Sequence, residues 1–218
     1  KIINQMGKEL ASQYAKANEL AISEIKKIID INNIDCDYIP QSSIVYTQQD
    51  NYIQKIEDEI KAAKDLGIDA SYIEEIPFPI PIKAGIQFKN QAQFHPRKYA
   101  LGLAKIIHDK DVHIYENSRA VDIEKNEGYI VTTSQGKKVR AKKVIIASHF
   151  PFYNKNAMYF ARIYTERSYI VAIKAKESYP GGMYINAEDP TRSLRHQNTK
   201  DGELILVVGE DHKTGQGE

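Results

Sequence analysis

Tryptophan is absent from this 218-residue chain, and cysteine occurs once, at Cys36. One thiol cannot build a disulfide framework or a multi-cysteine zinc site within the chain, and its solitude suits a reducing cytoplasm. Charge of one sign is also lacking. Lys and Arg number 30 against 29 Asp and Glu, a net +1, whereas dedicated nucleic-acid binders show a large basic excess. No apolar run approaches the roughly 18 residues of a membrane span, and the chain opens on a helical pattern instead of a signal peptide. Short catalytic motifs are missing as well: no GxGxxG follows a strand, no HExxH occurs, and no GxSxG elbow is present. The six histidines show no convincing ligand spacing, so no metal site is expected.

What is present suffices for a packed core. Hydrophobic residues make up 42% and charged residues 27%, ordinary for a soluble globular protein, and the length corresponds to one or two domains of roughly 150 residues. The 14 tyrosines read first as amphipathic packing residues. The chain starts at Lys1 without a methionine, inside a helical pattern, and stops after a strand and a turn. It therefore reads as a piece of a longer protein.

Periodicity places the elements. Ile3, Leu10, Tyr14, Ala17, Ala21, Ile25 and Ile28 form one apolar face of a long helix from Ile2 to Ile29. Tyr38 to Thr47 reads as a strand, with Pro40 implying an edge or an irregular entry. Asp50 is the expected N-cap of a second helix that carries Ile53, Ile56, Ile60 and Ala63 on one face and stops at Gly67. Asp50 to Glu75 is acidic, with eight acids and three lysines. Pro77, Pro79 and Pro81 alternate and imply an extended connector along a surface groove. Ala84 to Lys89 reads as a strand, and Pro96 opens a third helix.

Val112 to Asn117 reads as a short strand. Four more follow with turns at Asn126–Gly128 and Gln135-Gly136, ending in the apolar run Val144 to Ser148, expected to be a buried strand. A second β region comprises Arg167 to Lys176, Gly182 to Asn186, Arg192 to His196 and Glu203 to Val208, with Asp201-Gly202 as a hairpin turn.

Four stretches invite a chemical reading. "ELILVVGEDHKTGQG" runs from a strand into glycines and Lys213-Thr214, but the Walker pattern needs four residues between its glycines. Here His212 stands where the second glycine belongs, and a strand with an exit turn fits better. The basic run Lys137, Lys138, Arg140, Lys142 and Lys143 fits a solvated sheet edge better than a nucleic-acid patch. "IIASHFPF" ends an apolar strand with small residues before His149, the place where layered α/β folds bind ligands. In "GGMYINAEDPTRSLRH", Tyr184, Arg192 and Arg195 suit a carboxylate or other anion, because Arg offers a planar bidentate fork.

The segment from "QFHPRKYALGLAKIIHDKDVHIYENSRAVDIEKNEGYIVTTSQGKKVRAKKVIIASHFPF" resembles the middle of FAD-dependent oxidoreductases of the D-amino-acid oxidase and glycine oxidase type. "FARIYTERSYIVAIK", "GGMYINAEDPTRSLR" and "GEDHKTGQ" resemble a bacterial branch often fused to a C-terminal Rieske iron–sulfur domain. The family's opening βαβ unit with GxGxxG and its closing flavin-contacting part have no counterpart here. The resemblance implies an α+β fold: a mixed or antiparallel substrate-side sheet with helices, formed by residues 1–95 and 151–218, and a partial FAD-binding segment with a β-meander, residues 96–150. It also implies FAD as cofactor, a small amine- or hydroxyl-bearing substrate oxidised by hydride transfer, and a Rieske domain or other electron acceptor as partner. Val121, Ala147, Ser148 and His149 fall where the family meets the cofactor, although His149 departs from the usual glycine. Tyr184, Arg192 and Arg195 fall on the substrate-side cover. A docking module that uses the acidic helix Asp50–Lys64 and the Pro-rich connector is the alternative.

Overall fold

A computed structural model of the protein describes residues 2–154 and 158–215. Helix α1 (Ile2–Asn32) is long and amphipathic as expected, but Gly7 at φ 82° and ψ 165° interrupts it. Its apolar face divides accordingly. Ile25, Ile28 and Ile29 pack with Ile34, Cys36 and Leu103, whereas Leu10 and Tyr14 remain exposed. In its first half the helix buries Ala11 and Ala15 beside the expected face, and of that face only Ile25 and Ile28 pack against a core cluster.

Helix α2 (Ile53–Asp65) buries Ile56, Ile60 and Ala63, as its spacing predicts. It stops where Gly67 adopts φ 80°. The Gly67 N–H donates to the Lys64 carbonyl and the Ile68 N–H to the Ala63 carbonyl, which satisfies the terminal acceptors of the helix. Asp50 does not cap it. It opens a 3-10 turn (Asp50–Tyr52), and its carboxylate lies 3.2 Å from Lys83 Nζ. Helix α3 (Pro96–His108) begins with Pro96 in its first turn, where the missing N–H costs nothing.

The main sheet has seven strands. In chain order they are β1 (Ile39–Thr47), β2 (Ala70–Ile73), β3 (Ala84–Gln93), β7 (Glu166–Ile173), β8 (Met183–Asn186), β9 (Arg192–Thr199) and β10 (Gly202–Lys213). Their spatial order is β2-β3-β1-β8-β9-β10-β7. All neighbours are antiparallel except β1 and β8, which run parallel with Ser43 opposite Met183 and Tyr46 opposite Asn186. The four strands expected from the second β region therefore share one sheet. β1 is interior, so Pro40 marks an irregular entry and not an edge. The β8 ladder starts only at Ser43, past the proline, and the β1–β3 register shifts between Gln41 and Ser43.

One face of this sheet packs α2 through Ile56, Ile60, Ala70, Ala84 and Ile86. The other carries Ile44, Tyr46, Ile76, Tyr179 and Tyr184. The Pro-rich connector closes that second face. Ile76 is buried, Phe78, Ile80 and Ile82 pack inward, and Pro77, Pro79 and Pro81 stay exposed. Alternation thus puts side chains without polar groups inside and leaves the donor-less backbone of proline at the surface.

A second sheet holds the meander β4 (Ala120–Lys125), β5 (Tyr129–Thr133) and β6 (Lys138–Ala141) in that order. Both expected turns are in place. The flanking stretches depart from expectation. Neither 112–117 nor 144–148 is a strand. Among the described residues no strand pairs with either, and without a partner ladder an apolar run has no strand geometry to adopt. The second is also not buried: Ile145 is 90% exposed.

Candidate active site

The residues expected on the substrate side lie on β8 and β9. Leu194 stands opposite Tyr184 in the antiparallel register. Side chains alternate between faces along a strand, so Arg192 shares the face of Tyr184 and Arg195 lies on the other. Tyr184 is 5% exposed. Its ring meets Phe78 edge-on at 4.9 Å and Tyr179 at 6.3 Å. Burial pushes the Tyr184 hydroxyl above the usual phenol range. Tyr179 is pushed up further, by burial and then by Tyr184, and its hydroxyl donates to the Gly182 carbonyl at 3.2 Å. Both phenols are therefore neutral donors through physiological pH. Gly182, at φ 85°, is required here, because a Cβ would lie within 2.9 Å of the Tyr184 ring.

Arg192 is exposed and ion-paired with Glu210 of the neighbouring strand. Its backbone N–H donates to Asn186 Oδ1, which ties the β8–β9 connection. Arg195 is exposed, opposite Leu206 of β10. The sheet register thus places Tyr184 and Arg192 on one face and Arg195 on the other, although the charge of Arg195 still acts on Tyr179.

The sequence did not single out Glu188 or His196. Glu188 is 6% exposed. Its Oε1 accepts from the Thr47 hydroxyl at 2.6 Å and from the Gln48 N–H. Burial alone would raise this carboxyl, but those donors hold it below the ordinary carboxylate range. It locks the end of β1 to the segment after β8. The imidazole of His196 packs against the Tyr179 ring at 4.9 Å, and its Nε2 lies 3.9 Å from Glu203, whose other oxygen accepts the Tyr179 N–H at 2.8 Å. A lone buried Glu or a strand His carries no local signal. Only the register reveals their partners.

Of the residues expected to meet the cofactor, Val121 lies in β4 and is exposed, and Ala147, Ser148 and His149 are exposed as well. His149 adopts φ 61°, the left-handed conformation that the usual glycine would take without strain. The Ser148 hydroxyl donates to the Phe150 carbonyl at 3.0 Å. No helix N-terminus follows this turn closely among the described residues, so a pyrophosphate cradle of the strand-turn-helix kind is not formed by residues 144–154. The GEDHKTG stretch is no phosphate loop. β10 runs through it to Lys213, with a break in register between Gly209 and His212, while Gln216 lies outside the described residues. Among the described residues no cluster of metal-ligating side chains occurs, and no helix is long and apolar enough to cross a membrane.

Solved structures share the fold. Glycine oxidase from Bacillus cereus ATCC 14579 superposes with a TM-score of 0.73 at 16% identity, over 93% of this chain and 58% of its own. Glycine oxidase from Geobacillus kaustophilus gives 0.69 at 14% identity, over 95% and 56%. L-proline dehydrogenase from P. horikoshii gives 0.69 at 14%, over 88% and 55%. A protein of Bacillus subtilis (strain 168) named for a Rieske 2Fe-2S iron–sulfur protein, YhfW, is 42% identical over 215 residues. That match covers 99% of this chain and 42% of that protein, so the chain spans less than half of the relative's length. A sequence profile described as FAD dependent oxidoreductase (DAO) matches residues 1–217. The chain belongs to that family of FAD-dependent oxidoreductases.

Proposed function

We propose that this chain forms the substrate-side portion, and part of the flavin-side portion, of an enzyme that oxidises a small amine- or hydroxyl-bearing substrate, with FAD as hydride acceptor. In this reading residues 1–95 and 151–218 are the substrate side and 96–150 the flavin side. One observation carries it. Two stretches expected to be strands, 112–117 and 144–148, flank the meander and pair with no strand among the described residues, in a chain that covers 42% of its relative. Unpaired backbone of that kind supports a sheet completed by strands from outside these 218 residues. Val121, Ala147, Ser148 and His149 then face the cofactor, and the phosphate cradle comes from elsewhere.

On the substrate side, Arg192 and Tyr184 share one face of the sheet, and Arg192 is the group suited to orienting a substrate carboxylate once it exchanges Glu210 for it. The connector of Ile76 to Ile82 excludes water from the tyrosine cluster. The relative's name supports a Rieske domain as electron acceptor, with a quinone or oxygen as the other choices. The single cysteine, buried, suits the cytoplasm. A docking module is the weaker reading, because the connector's apolar residues already pack into the core.

Flavin fluorescence tests the proposal. FAD is titrated into the 218-residue chain and into the chain with whatever its reading frame encodes upstream of Lys1. Saturable binding by the longer form alone is expected. Binding by neither form overturns the flavin reading.

A further inference from the structure

The two ends of the main sheet differ in kind. At one end β2 has four residues and is followed by Glu74 and Glu75, a short edge with adjacent charge that resists pairing. At the other end β7 has eight residues, all exposed. Tyr169, Ile170, Val171 and Ile173 are 52%, 65%, 56% and 44% exposed. β10 pairs one side of β7, and among the described residues no strand pairs the other. A long, apolar, open edge is a template for another strand.

We propose that β7 pairs antiparallel with β7 of a second copy, about a two-fold axis at Ile170, and so joins two seven-stranded sheets into one. The sequence of the strand selects this occupant and this register. A two-fold axis normal to the sheet keeps each face continuous, so partners across it must have the same parity. Centring on Ile170 sets Ile170 against itself, Tyr169 against Val171 and Arg167 against Ile173. It also sets Glu166 against Lys174 at both ends of the ladder. Centring on Tyr169 sets Glu166 against Ala172 and forfeits both charge pairs. Glu166 already lies opposite Lys213 within its own sheet, so the second copy's Lys174 extends an alternating row of charge. Lys174 gives one N–H to the Asp201 carbonyl at 2.6 Å and keeps two donors. The proposal requires that the outer edge of β7 stay open in the protein as its reading frame encodes it, and the experiments are done on that protein for this reason.

A single ladder buries less than the roughly 1,600 Å² of a standard interface, so the expected dimer is reversible, with a dissociation constant in the micromolar range. Two experiments test it on the protein as its reading frame encodes it. In sedimentation equilibrium, Glu166→Lys or Lys174→Glu alone places like charges at both ends and is expected to raise the dissociation constant about tenfold. The double reversal restores it to within about threefold. Circular dichroism confirms that each variant is folded. Under mild oxidation, Ile170→Cys gives a reducible covalent dimer, because antiparallel partners stand about 4.5–5.5 Å apart, within disulfide reach. Ile173→Cys and the parent chain do not. A protein that stays monomeric, a double reversal without rescue, or equal cross-linking by both cysteine variants overturns the proposal.

Discussion

Glu188 is the residue whose charge the fold uses most directly. Its carboxylate is buried, accepts from Thr47 and Gln48, and joins segments 141 residues apart. Its folded pKa is depressed. The stability it contributes is therefore present above the unfolded carboxyl value of about 4.3 and lost as pH falls through the lower folded value. Glu188→Gln is expected to cost about 1–3 kcal/mol at neutral pH, with the gap to the parent closing in acid. Urea midpoints at several pH values check this. An equal gap at every pH would assign the anchor to shape and not to charge. Glycine, by contrast, was readable at its own scale: Gly67 was expected to end α2 and does. Gly7 was not, because an isolated glycine inside a periodic pattern predicts no particular break.

Elements were legible where the pattern repeats and the partner is local. α2, α3, the two meander turns and the Asp201-Gly202 hairpin follow from spacing and turn chemistry alone. β2 escaped notice, since four residues carry too little alternation to register. Val144 to Ser148 departs from expectation for the opposite reason. Its composition is that of a buried strand, yet burial belongs to the partner layer and not to the run itself, and no described strand covers it. The connector gains its meaning only in the fold, with prolines out and Phe78 in. Phe78→Ala removes the edge contact with Tyr184 and the tilted one with Tyr179. It is expected to lower stability by about 2 kcal/mol, while Pro79→Ala changes it by less than about 1 kcal/mol, mostly through the unfolded chain. Thermal or urea unfolding of the two variants separates these values. Of the candidate site, Tyr184 and Arg192 could be chosen by residue type, but their common face is a property of the β8–β9 register, which sequence spacing does not supply.

At the scale of the whole molecule, the seven-stranded sheet is assembled from two distant parts of the chain. Strands β1 to β3 come from residues 39–93 and strands β7 to β10 from 166–213. The two groups meet in the four-residue parallel ladder of β1 and β8. Side chains reinforce that seam. Gln41 accepts from the Gly182 N–H, Gln93 donates to the His196 carbonyl and Gln197 donates to Asp37. Each group has its own antiparallel ladders, and the exposed segment 109–118 separates α3 from the meander. The seam therefore makes the chain divisible. Two polypeptides, one ending and one beginning within 109–118, carry complementary halves of a single sheet. Mixed together, they are expected to reconstitute the fold, with a heat-denaturation transition that neither half shows alone. Replacement of Gln41 by Leu should weaken that reunion while leaving the ladders within each half intact.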